Sequence, residues 1–456
     1  MPRIFISAAH KSSGKTVVST GLAAALSQSQ DVRTFKKGPD YIDPMWLSAA
    51  SGSPCYNLDF NTMPEAELLA LYTSRAQGDI ALIEANKGLY DGVSLDGADS
   101  NAALAKLLKA PVVLVIDTVG TTRGIAPLLV GYQTFDPEVN IAGVILNKVG
   151  GPRHESKLRA AVEAYTDIPV IGAIGKHAEL EIGERHLGLT TPGETDAFRA
   201  KIVRIGEIVG GAVELSALRE IAATAPALPT AQRVANFTGT ELKIGIARDT
   251  AFGFYYNDDL EALEAAGAEL VFFNTLTDAR LPEMDGLFIG GGFPETQMAK
   301  LEANTNLRMD IKAKIEAGLP TYAECGGLMY LCESLSWHGE THQMVGVVKG
   351  DAVMNARPQG RGYTRMKALG GMWGKDTELL AHEFHYARVD NLPEGTEFAY
   401  EMLRGHGIDG KNDGVLAYNI QAGFCHLRNS KATPWVTHFV DFVQRKRFEK
   451  NPQARQ

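Results

Sequence analysis

Cysteine is scarce: the 456 residues hold four, Cys55, Cys325, Cys332 and Cys425, scattered and without a CxxC pair. That excludes a disulfide framework and points to a reducing cytoplasm. Positive charge is not in excess either. Lys plus Arg number 45 against 54 Asp plus Glu, a net charge of −9, which argues against a general binder of phosphate backbones. Long apolar runs are missing too, since nothing approaches the roughly 18 uninterrupted apolar residues of a membrane span. Met1 to Phe5 leads into a strand-like segment without a signal-type cleavage pattern. Neither nucleic acid nor a membrane is expected as a partner, and a cytoplasmic location is. What is present is 45% hydrophobic and 22% charged, an ordinary globular composition far from the disordered class. The length suits two domains of about 200 to 250 residues.

Short apolar runs alternate with helical patterns from the start: Ile4 to Ala8, then Thr16 to Gln28; Ile80 to Glu84, then Asn101 to Leu108; Val112 to Asp117, then Ile125 to Gln133; then Ile141 to Asn147. Strands interleaved with helices predict βαβ units and a parallel sheet. The near-continuous apolar runs, PVVLVID and AGVILNKV above all, fit strands covered on both faces. After a helical stretch from Phe198 to Ala223 comes APALPTAQRVANFTGTEL, a linker by composition. LKIGIARD then restarts a strand, and AELVFF, GLFIGG and PTYAEC follow as further strands. The expected division is an α/β domain over 1–224, a linker over 225–241, a second α/β domain over 242–445 and a polar tail over 446–456.

Between the first strand and first helix stands Ala9-His10-Lys11-Ser12-Ser13-Gly14-Lys15-Thr16. It has phosphate-loop spacing except that Ala9 occupies the usual first glycine. Such a loop turns backbone N–H groups onto phosphates, sets a lysine on the β/γ oxygens and offers a hydroxyl to Mg²⁺. Ser13, Gly14, Lys15 and Thr16 supply these parts, and Ala9 must then avoid a strongly positive φ. The plainer alternative is a serine-rich turn that merely contains Gly-Lys-Thr. Two carboxylates, Asp40 and Asp43, lie in a Gly- and Pro-bounded loop, and Glu84 and Asp91 flank the stretch after another strand. Acids on loops at strand ends are where α/β enzymes hold metal and substrate, although Asp beside Pro or Gly often serves only a turn.

In the second half, LPTYAECGGL runs from a strand into a helix with Ala323 and Gly327 either side of Cys325. Small neighbours permit a sharp nucleophile turn, and a helix N-terminus favours thiolate. Cys325 is thus a candidate nucleophile and His426 its leading base. Gly290-Gly291-Gly292 could present N–H groups to an oxyanion. The pair in HEFH, His382 and His385, lacks the spacing of a zinc-protease helix, so structural zinc is not expected. Most of the aromatics of FGFYY at 252–256 are expected in the core.

Taken together the motifs resemble the cobyrinate a,c-diamide synthases, glutamine-dependent amidoligases of tetrapyrrole biosynthesis. The resemblance spans nearly the whole chain through AHKSSGKT, FKKGPDYIDP, the NLD at 57–59, IEANKGLYDG, APVVLVID, GVILNKV, the ERHLGL at 184–189, IARDTAFGFYY, GGGFPE, YAECGGLMYL, HEFHY and the FCHL around His426. It implies an N-terminal P-loop synthetase domain that binds ATP and Mg²⁺, and a C-terminal class I glutamine amidotransferase-like domain. By the same resemblance Cys325 and His426 would release ammonia from glutamine. Asp40, Asp43, Glu84 and Asp91 match functional acids, with Thr16, Asp43 and Glu84 on the metal and Asn147 against the adenine. A homodimer is among the assemblies it allows.

Departures from the family pattern bear on the substrate. Leu427 and Arg428 follow His426 where many class I enzymes carry a Glu two residues on, so no third triad member is assigned. Ala85 and Lys87 replace the usual glycine and methionine, and no His stands in Met45-Trp46-Leu47. In the family picture those positions face the tetrapyrrole, which implies a different ring. The NKGLYDG wording looks like the sirohaem amide synthase branch, so sirohaem or sirohydrochlorin is expected ahead of cobyrinate. Two readings from other classes are a P-loop switch ATPase, which leaves Cys325 unexplained, and a catalytically silent tetrapyrrole carrier, which leaves Lys15, Cys325 and His426 unexplained.

Overall fold

The computed structural model describes residues 1–182, 198–229 and 242–450, together with the backbone of 184–185 and 188–189. The chain divides into two compact units, Met1–Arg233 and Val234–Gln456. Of the expected linker, residues 230–241 lie outside the described residues, as do 451–456 of the expected tail and the side chains of the ERHLGL motif.

In the first unit, the described strands are β1 (Arg3–Ala8), β2 (Val32–Lys37), β3 (Cys55–Leu58), β4 (Ile80–Glu84), β5 (Val112–Asp117), β6 (Ile141–Val149) and β7 (Val170–Gly175). They form one parallel sheet in the order β3-β2-β4-β1-β5-β6-β7. Every residue of β1 is buried, as the doubly covered strand of a βαβ fold requires. That includes Arg3, whose Nε donates to Leu108 O at 2.6 Å, so the buried guanidinium satisfies helix-end carbonyls. Around the sheet lie α1 (Lys15–Leu26), α2 (Ile42–Ser51), α3 (Glu65–Arg75), α4 (Asn101–Leu107), α5 (Ile125–Phe135), α6 (Pro152–Tyr165), α7 (Phe198–Ala212) and α8 (Leu215–Ala223). Helix α7 packs closely on α1, because Gly21 meets Val209 and Gly206 and Gly210 meet Ala24 and Ala25 where side chains would collide. Glu184–Arg185 (β8) and Gly188–Leu189 (β9) pair as a short antiparallel hairpin.

In the second unit the strands run β10 (Leu242–Ala247), β11 (Phe252–Phe254), β12 (Ala268–Phe273), β13 (Gly286–Ile289), β14 (Gly291–Gly292), β15 (Thr321–Glu324), β16 (Ser334–Trp337), β17 (Glu340–Gln343), β18 (Asp351–Met354), β19 (Gly360–Ala368), β20 (Glu378–His385), β21 (Ala387–Asp390), β22 (Glu397–Arg404), β23 (Asn412–Ala417) and β24 (Ile420–Gly423). The main sheet is ordered β12-β10-β13-β15-β24-β23-β22-β19-β20. It is parallel from β12 through β24 and antiparallel beyond. Its helices are α9 (Asn257–Ala265), α10 (Met298–Ala303), α11 (Thr305–Glu316), α12 (Gly326–Leu331) and α13 (Trp435–Lys450). Helix α13 continues into the segment expected as a tail, because Trp435, Val436, Phe439, Val440 and Val443 bury one face of it. Phe252, Phe254 and Tyr256 are buried as expected for core aromatics, and all four cysteines are buried thiols outside any disulfide. Among the described residues no helix is long and apolar enough to cross a membrane.

Candidate functional site

Each unit carries one cluster of reactive groups at the C-terminal ends of its parallel strands, the position where open α/β sheets bind ligands. In the first unit the loop after β1 reaches α1 through Ser12 (φ 66°) and Gly14 (φ 83°), so the left-handed conformations fall there and not on Ala9. Gly14 caps α1, and no acidic residue occupies the helix's first turn. The helix N-terminus is therefore open to an anion. Asn147 braces the loop: its Nδ2 donates to Ser13 O at 2.9 Å, and a Cβ on Gly14 would stand 2.3 Å from that nitrogen. Asn147 Oδ1 accepts from Lys148 N–H at 3.0 Å, which leaves its second amide hydrogen and the oxygen's other lone pair for an adenine.

Lys15 is buried, with Nζ donating to Asn86 O at 2.9 Å. Burial and the neighbouring Lys36 charge hold its pKa below the ordinary lysine value. Thr16 Oγ1 lies 3.1 Å from Asp43 Oδ2 and 3.0 Å from Glu84 Oε1. The same two carboxylate oxygens receive Lys36, whose Nζ is 2.7 Å from Glu84, bonded to Asp43, 3.6 Å from Asp40 and 3.2 Å from Ala85 O. Burial opposes the Lys36 charge, yet Asp43, Glu84 and Asp40 raise its pKa well above the usual value. Asp43 is held at about 2, since the Lys36 charge outweighs burial. Burial and the Asp43 charge push Asp40 up to about 7, and burial raises Glu84. Asp40 also accepts the Ile42 and Asp43 amides at 3.0 and 3.1 Å at the start of α2. The NLD motif secures this loop, with Asn57 Nδ2 donating to Gly38 O and Asp40 O.

Asp40, Asp43 and Glu84 thus converge with Lys15 and Thr16, and Asp91 does not. Asp91 is exposed and accepts the Gly88 amide at 2.9 Å, closing a turn. Three carboxyl groups face two lysine amines here, and Glu84 Oε2 is buried without a hydrogen-bond partner. Hydroxyl and carboxylate oxygens of this kind suit Mg²⁺, which binds through one or two carboxylates plus phosphate oxygens. Among the described residues no group of three or more His, Cys, Asp and Glu frames a metal by itself, so Thr16 and nucleotide oxygens would complete the shell. Of the positions expected to face a tetrapyrrole, Ala85, Trp46 and Leu47 are fully buried. Trp46 packs edge-on to Phe198 at 4.9 Å, so these three are core residues. Lys87 is exposed and Met45 half-buried, and they alone of the set present surface.

In the second unit Cys325 caps α12 with φ 48° and ψ −101°, a strained turn straight off β15. A Cβ on Gly327 would stand 2.2 Å from Ile289 O, so only glycine lets the helix approach. His426 is buried and shares a side-chain hydrogen bond with Cys325. Burial lowers its pKa, but Cys325 and Glu324 outweigh that and push it up to about 10. His426 Nδ1 lies 3.3 Å from Glu324 Oε2, leaving the ring's other nitrogen for sulfur. Behind it His382 stacks at 5.0 Å with the rings 15° apart, and the two residues exchange backbone hydrogen bonds. Burial and the His426 charge keep His382 well below the usual histidine pKa. His385 faces Phe424 instead, at 3.9 Å. Of the glycine run, the Gly290 amide donates to Tyr255 Oη at 2.9 Å, which takes it out of an oxyanion role. Gly291 lies against His426, and Gly292 N against Gly326.

Sequence reasoning missed Lys36, Glu324 and His382 as site residues. The available signals were a lysine pair ending a buried strand, an acid directly before the nucleophile, and the HEFHY motif itself.

Comparison with known proteins places Cys325, His426 and Glu324 in one matched region and, of the first cluster, Glu84 and Asn147 in another. Residues 243–433 match the CobB/CobQ-like glutamine amidotransferase domain and residues 58–182 an AAA domain. The chain is 44% identical to a cobyrinate a,c-diamide synthase of Magnetococcus marinus, over 97% of each chain. It is 40% identical to that of Methanosarcina barkeri over 97% of this chain and 96% of the relative. It is 38% identical to that of Archaeoglobus fulgidus over 98% of both.

Proposed function

The chain belongs to the cobyrinate a,c-diamide synthase family of glutamine-dependent amide ligases, and from that premise we propose that it uses ATP and glutamine to amidate peripheral acetate carboxylates of a tetrapyrrole. The observation that carries this is the presence, in one chain, of a phosphate loop abutting a lysine–carboxylate cluster and of a strained cysteine bonded to a buried histidine.

In the glutaminase half Cys325 sulfur attacks the side-chain amide of glutamine. His426 passes a proton to the leaving nitrogen, which departs as ammonia, and water then clears the thioester. In the synthetase half the amides at the start of α1 and Lys15 bind the triphosphate, and Lys15 offsets charge developing on the transferred phosphoryl group. The acceptor carboxylate becomes an acyl phosphate, which ammonia opens with loss of phosphate. Lys36 holds Asp43 ionised beside Thr16 and bridges it to Glu84, and Thr16, Asp43 and Glu84 would hold Mg²⁺, which supplies electrostatic stabilisation of the phosphate oxygens. Asp40 orients the loop that carries Asp43. Asp91 shapes the loop that carries Lys87.

For the ring itself we favour a sirohaem type, supported by exposed Lys87 in the NKGLYDG loop, an ammonium at the position that the family resemblance gives to methionine. The second reading, cobyrinate, is favoured by the names of the relatives and by the burial of Ala85, Trp46 and Leu47, which removes them as ring contacts. Mass spectrometry after incubation with ATP, Mg²⁺ and glutamine decides between them, with sirohaem, sirohydrochlorin and cobyrinate offered separately. A single carboxylate-to-amide conversion on a sirohaem-type ring is the expected product. Equal or better turnover of cobyrinate overturns the sirohaem preference, and no amidation of any ring overturns the function.

A further inference from the structure

The glutaminase triad lacks a third member at the usual place, because the residue two after His426 is Arg428. That guanidinium is buried, bonded to Asp258 at 2.7 Å and set over the Tyr256 ring at 4.5 Å. It carries charge of the wrong sign to accept from an imidazole. Asp259, close by, spends its oxygens on the Asn429 amide and the Trp435 indole, at 2.9 and 2.7 Å.

The carboxylate that does meet His426 comes from the other side of the nucleophile. Glu324 immediately precedes Cys325 and is itself buried, and its Oε2 lies 3.3 Å from His426 Nδ1. Its Oε1 accepts the Leu427 amide at 2.8 Å and the Tyr322 hydroxyl at 2.6 Å. One oxygen is therefore pinned by a neighbour on its own strand and by the residue after the base, and this leaves the other aimed at the ring. Register supports the arrangement: Glu324 pairs with Gly423 across β15 and β24, and Cys325 N–H donates to Gly423 O at 2.7 Å. The chain from Gly423 to Leu427 is thereby fixed against the nucleophile turn.

We infer that Glu324 is the positioning residue of the glutaminase, holding the His426 tautomer and ring plane from the position before the nucleophile. The inference rests on the glutaminase reading of Cys325 and His426. Glu324 receives the Nδ1–H bond, so the other ring nitrogen faces sulfur, and its charge stabilises the imidazolium formed during thioester formation. The groups that face His426 are Cys325, Glu324 and the stacked neutral His382, with the Arg428 charge also acting on His382.

The test is glutamine hydrolysis by the purified full chain, scored as glutamate release, for the wild type, Glu324→Gln and Tyr322→Phe. Glu324→Gln is expected to lower kcat by ~10²–10⁴-fold, up to the loss that follows when a triad acid is replaced by its amide. KM should stay within about threefold, and the alkaline limb of the kcat profile should move to lower pH. Tyr322→Phe, which frees one of the bonds fixing the carboxylate, is expected to lower kcat severalfold with its limb unmoved. A Glu324→Gln protein with wild-type kcat and pH profile overturns the inference. If that variant does not melt as the wild type does, an unchanged kcat in Tyr322→Phe overturns it. Wild-type chain that hydrolyses glutamine but fails to amidate any ring with ammonium salt refutes the proposed function, while the hydrolysis data still decide on Glu324.

Discussion

Replacing Lys36 by methionine keeps the length and burial of the side chain and deletes one charge. The structure sets the magnitude. Lys36 is 2% exposed and bridges Glu84, which is fully buried, and Asp43, which is 16% exposed. It holds Asp43 near 2 against an ordinary 3.8, and at 1.36 kcal/mol per unit that contribution alone is about 2.4 kcal/mol. Removing one partner of a buried pair costs ~3–5 kcal/mol in all, because the remaining charge is left uncompensated. The sign with pH follows. The Asp43 contribution is present above the unfolded carboxylate pKa and is lost as pH falls through about 2. Without Lys36, burial raises the folded pKa of the remaining acids above their unfolded values. The cost of the variant is then full at pH 8 and shrinks as those acids take up protons towards pH 5. Urea unfolding of the full chain, with buried Trp46 as the first unit's fluorescent reporter, is the assay. Mg²⁺ should stabilise the variant more than the wild type, since the cluster loses one positive charge beside Asp43 and Glu84. A loss under about 1 kcal/mol, or a loss equal at pH 5 and pH 8, would refute the charge-balance reasoning.

Cys325→Ala is expected to abolish glutamine-dependent amidation and to leave turnover with high ammonium salt; loss of both in an amidation assay would mean that the cysteine is structural. Lys15→Ala should remove both activities, measured in the same assay. Gly327→Ala puts a Cβ 2.2 Å from Ile289 O, a backbone atom that cannot swing away. It should lower stability by about 1–3 kcal/mol or more and cripple glutamine hydrolysis together with it. His426 has its pKa raised to about 10 by Cys325 and Glu324, so glutamine hydrolysis should show no limb near pH 6.5 from this histidine and should fall as pH approaches 10. The stability that His426 contributes is present below its unfolded pKa and is lost over the same rise, which a pH series of melting temperatures checks.

What could be read from the sequence, and what could not, separates along the range of the interactions involved. The parallel sheet of the first unit was legible because β1 and β5 are buried on both faces, and that burial writes apolar residues at consecutive positions. The antiparallel extension of the second sheet was not. Strand β19, GRGYTRMKA, is buried only at alternating positions over part of its length, so half of its residues answer to solvent and the segment reads as polar loop. The phosphate loop and the cysteine turn were legible because each is a local device, whose glycines and hydroxyls are demanded within one stretch of chain. Asp91 differs from these, lying apart from the cluster and accepting the Gly88 amide in a turn.

The remaining site residues are products of the fold. Lys36 gains its meaning when the ends of β2 and β4 and the start of α1 meet, since nothing near it in sequence distinguishes an ammonium that balances two carboxylates from one that reaches solvent. Glu324 and His426 are 102 residues apart, and the register of β15 against β24 alone brings them together. The usual sequence offset between base and acid is then one way of placing a carboxylate behind an imidazole, and the strand that delivers the nucleophile is another. A fold that fixes both strands is free to use either. The absence of a glutamate two residues after His426 therefore reports where the acid is supplied from, and carries no information on whether the histidine has one.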